Sequence, residues 1–266
     1  MNIALAALLL VVIVYFLIRK KTTANTTEVI DDEPDTHEPL LEQHVAYYAR
    51  LDEAGKAKFE TKVNNFLQYV HIEGVGTEIT ELDKILVASS AVIPIFGFGE
   101  DWKYKNLTNV ILYPDTFDND FQFEGGENRN ILGMVGSGYM NGQMLLSRAA
   151  LIKGFSDSAG KENTAIHEFV HLLDKADGAT DGIPEMLMQH QYTVPWLKQI
   201  HQEMHKIESG KSDINPYALT NEAEFLAVAS EYFFEKPEQL QHKHPELYDL
   251  LSLIFTQNPA KDSSPI

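Results

Sequence analysis

From Leu40 to Val70 the apolar positions Leu41, Val45, Tyr48, Leu51, Phe59, Val63, Phe66 and Val70 recur mostly at threes and fours. That spacing lays an apolar stripe along a helix, and it predicts helical structure with one break near Gly55. Glu78 to Ile95 reads as another helix, very apolar in ILVASSAVIPI. Pro94 should end or kink it, because proline lacks the amide hydrogen that the helix interior uses. The period then shortens. Asn109 to Tyr113 (NVILY) predicts a short strand before a loop rich in Pro and Asp, and Ile131–Val135 and Gln143–Leu146 predict two more around the glycine-rich GSGYMNG. Helical patterns return at Ser147–Ile152, Lys161–Ala176, Gln191–Ile207, Asn221–Phe234, which Pro237 should stop, and Pro245–Phe255. The end of the closing stretch, TQNPAKDSSPI, reads as a disordered tail over 260–266. The expected class is α+β, predominantly helical with a small sheet, in one domain spanning 40–259.

The N-terminus departs from this picture. MNIALAALLLVVIVYFLI carries no charge between Asn2 and Arg19. About 17 apolar residues suffice for a spanning helix, so residues 1–19 are expected to form a single transmembrane anchor. A cleaved signal peptide would carry its basic residues before the apolar core. Here Arg19, Lys20 and Lys21 follow it, which also places the C-terminal side in the cytoplasm. The expectation is a single-pass protein of the bacterial inner membrane with its domain on the cytoplasmic face. Residues 20–39 are polar and acidic with two prolines and read as a flexible linker.

Among the 266 residues, 21 Lys+Arg face 39 Asp+Glu, for a net charge of -18. Such a surface repels nucleic-acid phosphates and excludes binding through a broad basic face, but it suits a basic protein partner. There is no cysteine. Disulfides and thiolate ligands are therefore excluded, and any metal must be held by His, Asp or Glu.

Candidate chemistry lies in TAIHEFVHLLDKADG, Thr164 to Gly178. His167 and His171 are four residues apart, so a helix presents both imidazoles on one face, within reach of one zinc ion. Glu168 points about 100° away around a 3.6-residue turn and can hold a water as general base. Ile166, Phe169, Val170, Leu172 and Leu173 would embed the helix in the core. The competing reading is a buried helix with two hydrogen-bonded histidines, and a third ligand decides between them. Asp177 could supply one from the same segment. Asp174, three after His171, could instead orient that ring or be a solvated helix-end acid.

TNEAEFLAVASEYFFE offers a better third ligand. An acid inside so apolar a helix is costly unless it is paired or metal-bound. Glu224 is the expected ligand. Glu231, seven residues on and on the same face, is its supporting partner, a core hydrogen-bonder or the alternative ligand, and Glu222 reads as a first-turn acid that favours the helix dipole. Two histidines and one glutamate leave an open position, as catalytic zinc requires. Tyr217, seven residues before Glu224, could donate to an oxyanion or be a packed surface tyrosine. His201 and His205 form a second pair, but without a base glutamate and on a polar helix they read as surface residues. His37, His44, His71, His190, His242 and His244 read as solvated or as local hydrogen-bonders. GSGYMNGQMLL could be an edge strand that pairs with a peptide, or an ordinary hairpin turn.

The combination of His167-Glu168-x-x-His171-Leu-Leu-Asp174, Tyr217 and Ala223-Glu224-Phe225-x-Ala227-Val228-x-Ser230-Glu231-Tyr232-Phe233-Phe234 resembles the Mlc titration factor A family of zinc peptidases. It also resembles, more distantly, the catalytic domain of anthrax lethal factor. The resemblance covers roughly Leu40 to Pro259. It implies a zincin-like domain with a gluzincin-type site: one Zn2+ per chain on His167, His171 and Glu224, Glu168 as base, and Tyr217 stabilising the transition state. It further implies peptidase action on a peptide substrate, mainly as an aminopeptidase. The family's namesake binds a sugar-responsive repressor, so the alternative is a module that titrates a regulatory protein at the membrane.

Overall fold

The computed structural model describes residues 37–118, 131–136, 141–184 and 192–262. The expected anchor, most of the linker, Ser137–Met140 of the glycine-rich stretch, and His190 lie outside these residues. The described part belongs to one compact unit that begins at His37. It is predominantly helical, with a four-stranded mixed sheet.

The helical pattern from Leu40 resolves into α1 (Glu38–His44), α2 (Ala46–Ala49) and α3 (Glu53–Tyr69). The break falls at Arg50–Asp52, not at Gly55. Asp52 caps α3 by accepting from Gly55 N at 2.7 Å, so the glycine sits inside the first turn. A strand that the sequence reading missed, β1 (His71–Gly74), follows. The next helix, α4 (Glu81–Ile95), opens with a capping box between Thr80 and Asp83 and ends one residue after Pro94. It is buried almost throughout, and it crosses over to β2 (Asn109–Tyr113), which lies parallel to β1.

The remaining strands are β3 (Gly133–Val135) and β4 (Gln143–Ser147). The strand order is β1-β2-β4-β3, with β4 parallel to β2 and antiparallel to β3. This favours the hairpin reading of GSGYMNGQMLL over the edge-strand one, since β3 and β4 pair antiparallel on either side of GSGYMNG. Its Gln143–Leu146 portion lies in a strand paired on both sides, and the edge belongs to β3. Ser147 then caps α5 (Arg148–Gly154).

The HExxH segment is α6 (Thr164–Asp174), continued by a 3-10 turn, Lys175–Asp177. Ile166, Phe169, Val170 and Leu173 are all at most 1% exposed, and Phe169 packs against Phe66 and Tyr104. Helix α7 (Thr193–Glu208), a 3-10 turn at Pro216–Leu219, and α8 (Glu222–Glu235) follow. Pro237 does stop α8, but it also starts α9 (Pro237–Lys243), because proline suits a first helical position whose amide has no partner. Helix α10 (Pro245–Phe255) matches its predicted bounds. Pro259–Asp262, part of the expected tail, forms a short helical turn, α11, and Ala260 N donates to Tyr248 Oη at 3.0 Å. Among the described residues no helix is long and apolar enough to cross a membrane.

Candidate metal centre

Helices α6 and α8 pack against each other, and their polar positions meet inside the contact. His167 Nε2 lies 2.9 Å from Glu224 Oε2 and 3.1 Å from His171 Nε2, and His171 Nε2 lies 3.4 Å from Glu224 Oε2. No other group of three or more His, Asp or Glu donors converges in this way among the described residues. Asp177 is elsewhere, with its carboxylate accepting from Ala179 N in a turn.

Each helix start fixes its donors. Asn163 caps α6 by accepting from Ile166 N, and Asn221 caps α8 by accepting from Glu224 N at 2.9 Å. Glu224 is thereby held in the first turn of α8. Seven residues later, Glu231 Oε1 lies 2.8 Å from His167 Nδ1, and its Oε2 accepts from the Asn163 backbone at 2.5 Å. Glu231 therefore joins the start of α6 to the first histidine: it supports His167 and not, as the sequence reading expects, Glu224. Asn163 was not foreseen. An asparagine before an apolar helix signals a cap, but its bond to a carboxylate 68 residues away is invisible in one dimension.

The donor chemistry passes the test for a cation. A carboxylate only accepts, so His167 Nδ1 donates to Glu231, and in the neutral ring Nε2 carries a bare lone pair. That lone pair faces the Glu224 oxygen at 2.9 Å. Two electron-rich atoms this close need a proton or a metal ion between them. Burial opposes charge on His167, but the hydrogen bonds of Glu224 and Glu231 raise its pKa to about 10. Burial likewise opposes charge on Glu224, and His167 and His171 pull it down to about 2. Ligands at 2.0–2.1 Å from one tetrahedral ion are about 3.3 Å apart, close to the three separations observed.

Glu168 lines the same cleft as the three donors and is itself buried. Burial raises its pKa, while His167 and His171 partly offset the rise. Gly133 of β3 lies directly against it. A Cβ built there would sit 2.6 Å from Glu168 Cγ and 2.7 Å from Oε1. The strand can approach the helix this closely only without a side chain, a constraint that the sequence reading did not detect.

Tyr217, in the 3-10 turn, is 53% exposed, with its ring 6.1 Å from that of His167 on the rim of the cleft. Burial of its lower part and the nearby Glu224 raise its pKa. Asp174 departs from both sequence readings. It is fully buried rather than solvated, and it accepts from Gly182 N at 2.9 Å. Its Oδ1 and His171 Nδ1 are both buried without a hydrogen-bond partner, so the expected orienting bond to His171 is not formed. Burial pushes Asp174 up to about 6. Gly182 can hold this carboxylate because its φ of +76° and bare Cα fit against the Glu222 carbonyl, 2.3 Å from where a Cβ would stand.

Other histidines divide. His201 and His205 are exposed on α7, as expected. His244 is not local or solvated: it is buried between Glu203 Oε2 and Asp213 Oδ1, each at 2.9 Å. Asp213 also receives Lys161, Lys243 and Tyr232, and so ties the loop before Tyr217 to α8 and α9.

The chain is similar over most of its length to several known proteins. The chain is 28% identical over 236 residues to the uncharacterized protein slr2042 of Synechocystis sp., covering 85% of each chain. It is 28% identical over 244 residues to Mlc titration factor A of Klebsiella pneumoniae, covering 86% of this chain and 90% of that one. For Mlc titration factor A of Escherichia coli the figures are 27% over 222 residues, 79% and 82%. The profile of the glucose-regulated metallo-peptidase M90 family matches residues 18–256, and the chain belongs to that family.

Proposed function

We propose that the chain is a zinc-dependent peptidase with a zincin-like domain, holding one zinc ion on His167, His171 and Glu224. The observation that carries this reading is the convergence of those three donors beside a buried glutamate. Family membership supports it. Zinc in such a set acts as a Lewis acid that polarises a carbonyl and acidifies a water. Glu168 takes the proton of the attacking water and hands it to the leaving nitrogen. Burial favours that proton on the carboxyl once it is taken, because it removes a charge from a poorly solvated site. Tyr217 donates its hydroxyl to the substrate oxyanion as the carbonyl becomes tetrahedral. Glu231 holds the His167 ring in place.

Strand β3 supports a peptide substrate. Leu132 O and Gly136 N bond toward β4. By the alternation of an antiparallel ladder, the backbone groups of Gly133 and Val135 face the other way, the side on which Ile131 pairs with Phe117, and among the described residues they have no backbone partner there, which suits an added strand. The resemblance to the Mlc titration factor A family makes short substrates with a free amino terminus, cut one residue at a time, the first to assay.

Three outcomes follow for the purified full chain. Chelation should abolish hydrolysis and zinc should restore it, and activity in metal-free protein would sink the proposal. Tyr217→Phe should lower kcat about 100-fold, whereas an unchanged kcat assigns the residue to the surface. Gly133→Ala should push Glu168 aside and lower kcat about 100-fold, because its Cβ would meet Glu168 Cγ at 2.6 Å.

The apolar run before Arg19 and the basic residues after it support a membrane anchor with the domain in the cytoplasm. Recovery of the intact chain in the soluble fraction would exclude it. A second reading rests on the relatives' name and the net charge of -18: the domain titrates a basic transcriptional regulator. Capture of such a partner should survive Glu168→Gln.

A further inference from the structure

A cavity of about 360 Å³ opens beside the metal cleft and shares Val135 and Lys175 with it. Its walls are apolar: Trp102, Leu107, Leu172 and Val135 contribute. Trp102 is fixed edge-on against Tyr104, with ring centroids 4.9 Å apart, and packs on Phe98 at 5.5 Å. The charged residues of the cavity's lining are mostly of the opposite sign to the chain as a whole. Lys103, Lys105 and Lys175 border the cavity, against one acid, Asp101, in a chain whose net charge is -18. Lys175 donates to Gly136 O at 3.0 Å, and Lys103 lies 5.1 Å from the centre of the Tyr69 ring. Lys105 is exposed and has no ion pair among the described residues.

The position of the cavity relates it to the chemistry. Gly133 touches Glu168, and Val135 lies two residues further along β3, about 7 Å at the rise of a strand. A peptide paired along β3 across the metal centre therefore reaches this cavity two or three residues from the bond being cut. We propose that the cavity is a substrate subsite that takes a large apolar side chain, with an acidic residue next to it held by the lysines. This rests on the peptidase reading and adds a substrate class to it. No residue of the cavity mouth except Lys175 and Val135 belongs to the metal cleft.

The test uses the zinc-loaded full chain and peptides in which a Phe-Glu pair is walked through an Ala/Gly/Ser background. The expected result is a rise in kcat/KM of about tenfold or more when the pair falls two or three residues from the scissile bond. The side on which it falls separates an endopeptidase from an aminopeptidase. Lys105→Glu should reverse the ratio of Phe-Glu to Phe-Lys cleavage, by about fivefold at low salt and less at high salt. A second readout does not need turnover. The chain has two tryptophans, and Trp196 is fully buried with Nε1 donating to Gly182 O. A shift of tryptophan emission when a Phe-Glu peptide is added to zinc-loaded Glu168→Gln therefore reports Trp102. Cleavage with a flat positional profile and silent tryptophan emission overturns the subsite and leaves the peptidase reading standing. An emission shift with no peptide cleaved by the wild-type chain overturns the peptidase reading and keeps the cavity as a peptide site.

Discussion

Glu168→Gln should lower kcat by about 10²–10⁴-fold, the usual worth of a positioned general base, while zinc content and Tm stay near the wild-type values. The two side chains have the same shape, so the amide fits against Gly133 as the carboxylate does. It replaces a buried acid whose ionised form is disfavoured by burial, which makes a large loss of stability unexpected. The amide cannot take a proton from water, so the chemical step fails while substrate binding persists. The measurement is kcat and KM on a chromogenic substrate, with metal analysis of the same sample. Wild-type turnover in this variant would remove Glu168 from the mechanism. The variant also separates the two functional readings, since capture of a regulator needs the surface and not the base.

Glu224→Ala should lose zinc by more than 100-fold in affinity, because even partners one step removed from a metal are typically worth 10–100-fold. Two imidazoles alone leave the ion with half its tetrahedral set open. Helix α8 should survive, since the cap from Asn221 acts on the Glu224 backbone and not on its carboxylate. Circular dichroism should therefore match the wild type while zinc binding and hydrolysis disappear together. Glu231→Gln makes the informative contrast. Its NH2 group takes the place of one of the two carboxylate oxygens and faces a donor, the Asn163 backbone N–H or His167 Nδ1–H, instead of accepting from it. The expected loss is the smaller 10–100-fold. Zinc titration against a competing chelator reads both, and wild-type affinity in Glu224→Ala would overturn the assigned ligand set.

Much of the site was legible because its parts are local. His167 and His171 share a helix, so their common face follows from 3.6 residues per turn. Glu224 and Glu231 stood out because a carboxylate in an apolar helix needs a partner, and that cost is visible from composition alone. The strand at Asn109–Tyr113 and helix α10 also fell within their predicted bounds, since each carries a strong local pattern with its own end signal. Segments where two signals compete fared worse. Gly55 looked like a break, but the cap at Asp52 governs where α3 begins. Pro237 looked like a stop, but it is equally suited to a start.

The sequence by itself determined the donor types, their pairing along each helix, and the absence of any thiolate route to a metal. Only the tertiary structure decided which atoms meet. It set the Glu224 oxygen 2.9 Å from His167 Nε2, turned Asp174 toward Gly182 instead of His171, laid Gly133 on Glu168, and buried His244 between Glu203 and Asp213. The physical reason is range. Periodicity and caps act over a few residues and can be read along the chain. Contacts between elements depend on how whole helices and strands pack, and a residue's neighbours in that packing leave no mark at its own position.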